Sequence, residues 1–190
     1  MRSNNIDIVE RMKMGNTLYV NSIKSEGDIS PEIRKETMVN GQHPYAIVIT
    51  CSDSRVIPES IFSAGIGELF VIRVAGNVID RHQLGSIEYA ASHLNSTLVV
   101  VLGHTHCGAV GAAIEGHASG FVQYITNQIK DGIGDEKDPY KACCLNVRHS
   151  MEMIGDALKD TMEAPELVGA IYDIETGVVE WMDIDFDTLS

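Results

Sequence analysis

Two short stretches carry the residue types that hold metals. The apolar run YAIVIT (45–50) stops at Cys51, and Asp53 and Arg55 follow at once in CSDSR. A second run, TLVVVLG (97–103), stops at His104, with Cys107 three residues on in GHTHCG. A lone cysteine in an apolar run is usually a small buried hydrophobe. Two such strand ends, each delivering sulfur or imidazole, have a different meaning. If the strands are parallel neighbours, Cys51, His104 and Cys107 converge as a three-ligand set. Zinc accepts that mixture, and three protein ligands leave a fourth position open, as in catalytic rather than structural sites.

Asp53 and Arg55 sit at the same end. On a surface they would be an ion pair worth little. Beside a metal they have more to do. Two thiolates neutralise the charge of a zinc ion, so water on it deprotonates less readily than on a site of three neutral histidines, and an acceptor that orients the water becomes valuable. Asp53 is either that acceptor or itself the fourth ligand, and pairing with Arg55 decides between the two.

The elements that must position these residues follow from pattern. YAIVIT, LFVIRV (69–74) and TLVVVLG are apolar on both faces, which fits parallel strands covered on both sides. Helical segments alternate with them: about 57–64, QLGSIEYAASHL (83–94), CGAVGAAIEG (107–116), about 118–130, and about 138–159. Two strands joined by the turn ETG close the pattern in ELVGAIYDIETGVVEWM (166–182). Before the first strand, residues 5–21 have helical apolar spacing. DISPEIRKETMVNG (28–41) reads as a short helix capped by Ser30, with Pro31 at its first position and Gly41 after its end. The expectation is one α/β domain over 1–190, with a mostly parallel central sheet flanked by helices. A helical arm, 1–40, precedes the core, 41–190. Ligands in such sheets bind at the carboxyl ends of the strands, where strand order reverses.

Composition narrows the partners. There are 14 basic and 27 acidic residues, a net charge of −13, part of it in EWMDIDFDTLS at the C-terminus. A basic surface for nucleic acid or anionic membrane is therefore not expected. No stretch approaches the ~18 apolar residues of a membrane span, and the first residues lack a signal-peptide pattern. A cytoplasmic protein is expected, its cysteines free thiols or metal ligands rather than disulfides. Cys143 and Cys144, adjacent in a helical segment, read as packing residues.

CSDSR followed about fifty residues later by GHTHCG resembles the β-class carbonic anhydrases. PESIFSAGIGELFVIRVAGNV, LGSIEYAASHL and CLNVRHSMEMI extend the resemblance over most of the chain. It implies one zinc per chain on Cys51, His104 and Cys107, and a catalytic Asp53–Arg55 dyad in which Asp53 joins or leaves the metal. It also implies a homodimer or a dimer-based tetramer, with the N-terminal helices packed on a partner subunit. Members of the plant-like branch line the substrate pocket with glutamine, phenylalanine and tyrosine acting across the dimer interface; the matching residues are Gln42, Phe70 and Tyr89. Another branch has an allosteric bicarbonate site using a tryptophan three residues before the first cysteine. Val48 stands there, and the single tryptophan is Trp181, so the non-allosteric branch is expected.

The implied reaction is reversible hydration of carbon dioxide to bicarbonate and a proton by attack of zinc-bound hydroxide, with activity rising above neutral pH. The backbone N–H of Gly108 or of Ala109, at a helix start, is expected to help hold the substrate, a favourable place for an anion. Gly103, Gly108 and Gly111 are expected to allow close backbone approach. His106, between two ligands, is a candidate proton shuttle because a free imidazole titrates near ~6.5; His82, His93, His117 and His149 have no partner by spacing. Three other readings stand beside this one: a hydrolase of carbonyl sulfide or carbon disulfide on the same site, a non-catalytic zinc-binding protein, and a thiol redox protein using Cys143 and Cys144, which lacks C-x-x-C spacing.

Overall fold

The computed structural model describes residues 2–21, 27–159 and 165–182. Among them are α1 (Arg2–Asn21), α2 (Pro31–Asn40), β1 (Ala46–Thr50), α3 (Pro58–Ile61), β2 (Leu69–Arg73), α4 (Arg81–Leu94), β3 (Leu98–His104), α5 (Gly108–Glu115), α6 (Val122–Ile133), α7 (Pro139–Leu158), β4 (Glu166–Tyr172) and β5 (Val179–Trp181). A tight 3-10 turn, Ala75–Asn77, follows β2. All five residues of β1 and all seven of β3 are buried, as apolar runs covered on both faces must be.

The sheet order is β2-β1-β3-β4-β5. The first four strands are parallel and β5 is antiparallel to β4. The mostly parallel sheet expected from the sequence is thus present, made mixed by its edge strand. The chain steps from β1 out to β2, then returns to place β3 on the other side of β1, so the strand order reverses between β1 and β3. A crevice opens at the carboxyl ends of strands at such a reversal.

Alternation along the strands divides the core. Ile47, Ile49, Val99, Val101 and Ile171 face a cluster built with α4 to α7. Ala46, Val48, Leu98, Val100, Leu102 and Ala170 face a second cluster that takes Met12 from α1 and Ile61 from α3. Thr50, fully buried, donates its hydroxyl to the Leu102 carbonyl at 2.7 Å, tying β1 to β3 next to the site.

Helix ends follow their local signals. Ser30 accepts the Ile33 N–H, Pro31 opens α2, and Gly41 closes it at φ 81° with its N–H on Thr37. Asp80 and Gln83 form a capping box at α4. Of the three glycines expected to permit close approach, Gly103 does so: a Cβ there would lie 2.5 Å from Val147 and 2.9 Å from Ile171. Gly108 and Gly111 do not, because a Cβ at either meets nothing within 4 Å; both lie in α5, where the chain around them is open.

The two arm helices behave differently. α1 lies on its own chain. Met12 is fully buried there, and Asn16 donates to the carbonyls of Ile61 and Gly177 and accepts the Val179 N–H. α2 buries no residue, and Met38 and Val39 are exposed. Replacing Asn16 by Ala leaves three buried backbone groups without their partner. Stability should fall by at least about 1–3 kcal/mol, read from urea unfolding; an unchanged midpoint and slope would contradict this packing of α1.

Candidate active site

Cys51 directly follows β1, whose Thr50 is level with Leu102 of β3. One step further along each strand brings the Cys51 position beside Gly103 and His104. The turn after β3 then carries Cys107 back as the residue preceding α5. The ligand atoms of Cys51, His104 and Cys107 all lie within 4.8 Å of one another, and all three residues are buried. Ligands held about 2.0–2.3 Å from a tetrahedral zinc lie roughly 3.3–3.8 Å apart, so at most a small inward movement completes the set.

His104 supplies the sharpest test of fit. Its Nδ1 sits 2.8 Å from the Thr105 carbonyl, so that nitrogen carries the proton and Nε2 presents a lone pair. Among the described residues Nε2 is the buried side-chain polar atom with no hydrogen-bond partner. A buried nitrogen without a partner is costly in a native core. A soft cation between one such nitrogen and two sulfurs removes that cost, and nitrogen with two thiolates is a donor set zinc takes readily.

The two thiols share a proton. The Cys107 thiol donates to Cys51 and holds the Cys51 pKa well below the usual thiol range, while the Cys107 pKa is pushed up by that same bond and by burial. The Gly76 N–H, 3.2 Å from the Cys51 sulfur, also favours the Cys51 thiolate. The N–H groups of Ala109 and Val110 face Cys107.

Asp53 is not in the ligand group. Both its oxygens are taken by Arg55, Nε to Oδ1 at 2.9 Å and Nη2 to Oδ2 at 2.7 Å, and the Arg55 backbone N–H adds a third bond at 3.0 Å. The Arg55 guanidinium holds the Asp53 carboxyl well below the usual carboxylate range. Arg55 reaches the other strand end through the His106 carbonyl, 3.3 Å away. His106 thus meets the site with its backbone, in the left-handed region at φ 56°, and its residue is exposed.

Arg73, which sequence reasoning passed over, donates to the carbonyls of Cys51 (3.1 Å) and Asp53 (2.7 Å) and pins the loop between them. Its place at the end of β2, level with Thr50, was the available signal.

The three pocket residues are not gathered at this chain's own metal group. Phe70 and Tyr89 meet, ring centroids 6.2 Å apart, and Tyr89 stacks on His93 at 5.1 Å. Phe70 is level with Ile47, four residues before Cys51 and so about 13 Å back along the strand. Gln42 is exposed in the loop before β1. Cys143 and Cys144 are buried in α7, and burial pushes the Cys143 thiol up to about 11 and raises Cys144. Neither is the exposed, acidified thiol that redox chemistry needs.

Zinc takes Cys51 and Cys107 as thiolates. The bond between the two thiols lowers the Cys51 pKa and raises that of Cys107, so of the pair Cys107 is the one that keeps the proton in the metal-free chain. Zinc uptake should therefore release about one proton per site, and apparent affinity should rise with pH. Calorimetry in buffers of different ionisation enthalpy reads the number; zero or two protons would contradict the shared-proton pair.

The comparisons agree with this geometry. The family described as "Carbonic anhydrase" matches residues 46–179, most of the chain. A carbonic anhydrase of Mycolicibacterium smegmatis is 41% identical over 163 residues, covering 77% of this chain and 79% of that one. Carbonic anhydrase 2 of Mycobacterium tuberculosis is 58% identical over 74 residues, 39% of this chain and 36% of that one. Among solved structures, the β-carbonic anhydrase CafA of Aspergillus fumigatus superposes with a TM-score of 0.67 at 27% identity, covering 80% and 81% of the two chains. One from Sordaria macrospora, described as tetrameric, has a TM-score of 0.67 at 26% identity, covering 80% and 87%. The chain belongs to the β-class carbonic anhydrases, zinc enzymes that hydrate carbon dioxide.

Proposed function

We propose that this chain performs reversible carbon dioxide hydration with Cys51, His104 and Cys107 as the zinc ligands and Asp53 and Arg55 as the catalytic dyad. The observation that carries the assignment is the orphaned, buried His104 Nε2 between two thiol sulfurs, with a clamped carboxylate beside them. Bound there, zinc would lower the pKa of a coordinated water and supply hydroxide at neutral to alkaline pH.

The protein's own groups do the rest. Arg55 keeps Asp53 ionised and aimed, and occupies the lone pairs that would otherwise compete as a fourth ligand. A carboxylate oxygen keeps further acceptor capacity after one hydrogen bond. Asp53 therefore accepts the O–H of the nucleophile and turns its free lone pair toward the carbon. The Gly108 N–H, at the start of α5, faces anionic bicarbonate favourably.

Phe70 and Tyr89, remote from their own Cys51, provide an apolar wall for a small uncharged gas in the other chain of a dimer, and Gln42 donates to an oxygen of the substrate there. The exposed Met38 and Val39 at the end of α2 support self-association, as does the tetrameric relative. Val48 in place of a tryptophan supports the plant-like, non-allosteric branch, and Trp181 packs instead against Phe62. No described helix is long and apolar enough to cross a membrane. We place the protein in the cytoplasm as one functional unit over 1–190.

Asp53→Ala should retain zinc but lose about 10²–10⁴-fold in turnover, measured by stopped-flow hydration; near-normal turnover would remove Asp53 from the mechanism. Mixing inactive Asp53→Ala chains with Phe70→Ala chains should restore one working site per dimer. Absence of any restored activity in a confirmed mixed dimer would place Phe70 in its own chain's site.

A further inference from the structure

The turn Ala75–Asn77 is buried and closely packed. Gly76 and Asn77 both occupy the left-handed region, at φ 68° and 46°. Asn77 does so with a side chain, which is uncommon outside turns. A Cβ on Gly76 would lie 2.7 Å from Ile129 and 3.1 Å from Ala109, so the peptide is packed tightly against α5 and α6. A buried turn needs partners for its backbone carbonyls.

Those groups come from one face of α7. Asn146 and Ser150 lie four residues apart and are each 2% exposed. The Asn146 amide donates to the Gly76 carbonyl at 2.8 Å. The Ser150 hydroxyl donates to the Asn77 carbonyl at 3.0 Å, and the Asn77 amide nitrogen lies 3.3 Å from Ser150 Oγ. These bonds fix the Gly76 and Asn77 segment of the turn, and the N–H of the same Gly76 residue points at the Cys51 sulfur 3.2 Å distant.

We propose that Asn146 and Ser150 are positioning residues for the Cys51 thiolate, acting through residue Gly76, whose carbonyl is held and whose N–H meets the sulfur. They touch neither metal nor substrate. Their effect is to keep an N–H donor aimed at one sulfur of the ligand set, which fixes that sulfur's direction and draws off part of its negative charge. This deepens the zinc reading and rests on it. Groups that orient ligands in this way typically change metal affinity by about 10–100-fold when removed.

The test uses zinc-loaded full-length protein and its cobalt(II)-substituted form. Asn146→Ala should release zinc to an excess chelator at least about 10-fold faster than the wild type. It should also shift the thiolate-to-cobalt charge-transfer band. Ile154→Val, buried one helical turn beyond Ser150 with no hydrogen bond to the turn to lose, sets the effect of lost stability alone and should leave both readouts unchanged. If Asn146→Ala does not fold, Ser150→Ala, which removes only a hydroxyl, is expected to move the same two readouts in the same direction. Wild-type release and an unshifted band in the folded variant would overturn the proposal. So would an equal acceleration in Ile154→Val. A wild-type chain that binds neither zinc nor cobalt would overturn the metal reading itself, and is told apart from the first result by that binding measurement.

Discussion

The site depends on one register. β1 and β3 run parallel as neighbours, with Thr50 level with Leu102, and paired strands lie about 4.8 Å apart. That spacing delivers Cys51 and His104 to the same point, and a three-residue turn returns Cys107 to it. A slip of one residue would turn the β1 side chains to the opposite face and send Cys51 into the α1 layer. The register is held by burial on both faces and by the Thr50 hydroxyl on Leu102, so the hydrophobic core and the ligand geometry are set by the same contacts.

Around that point the chain arranges its charge in layers. Two sulfurs bring negative charge to a place that is almost dry. Backbone N–H groups from the Ala75–Asn77 turn and the start of α5 face them, Asp53 and Arg55 form a bidentate pair at the rim, and Arg73 holds the intervening loop by its carbonyls. Arg55 is half open to water while Asp53 is mostly covered, and a pair at the rim adds little to stability. Its value is directional, because a carboxylate held at both oxygens cannot swing onto the metal without breaking two charge-assisted bonds.

Much of this was legible in the sequence. The β1 and β3 runs ending in Cys51 and His104 announce both the sheet and its ligands, and the Ser30–Pro31–Gly41 punctuation bounds α2. The turn ETG makes β5 antiparallel to β4, but it does not say at which edge of the sheet the pair docks, which is beside β3. The support residues were invisible for a physical reason. Asn146 and Ser150 look like ordinary helical polar residues until α7 is laid across the turn 70 residues earlier in the chain, and Arg73 looks like a charge on an edge strand. Gly108 and Gly111 misled in the other direction, because a glycine between small residues suggests tight packing that this helix does not have.

The most direct measurement is stopped-flow carbon dioxide hydration at alkaline pH, on protein assayed as loaded, after zinc removal, and after zinc is restored. The account predicts fast turnover that disappears with the metal and returns with one zinc per chain. Absence of turnover in protein shown to carry one zinc per chain, or turnover that persists without it, would contradict the account.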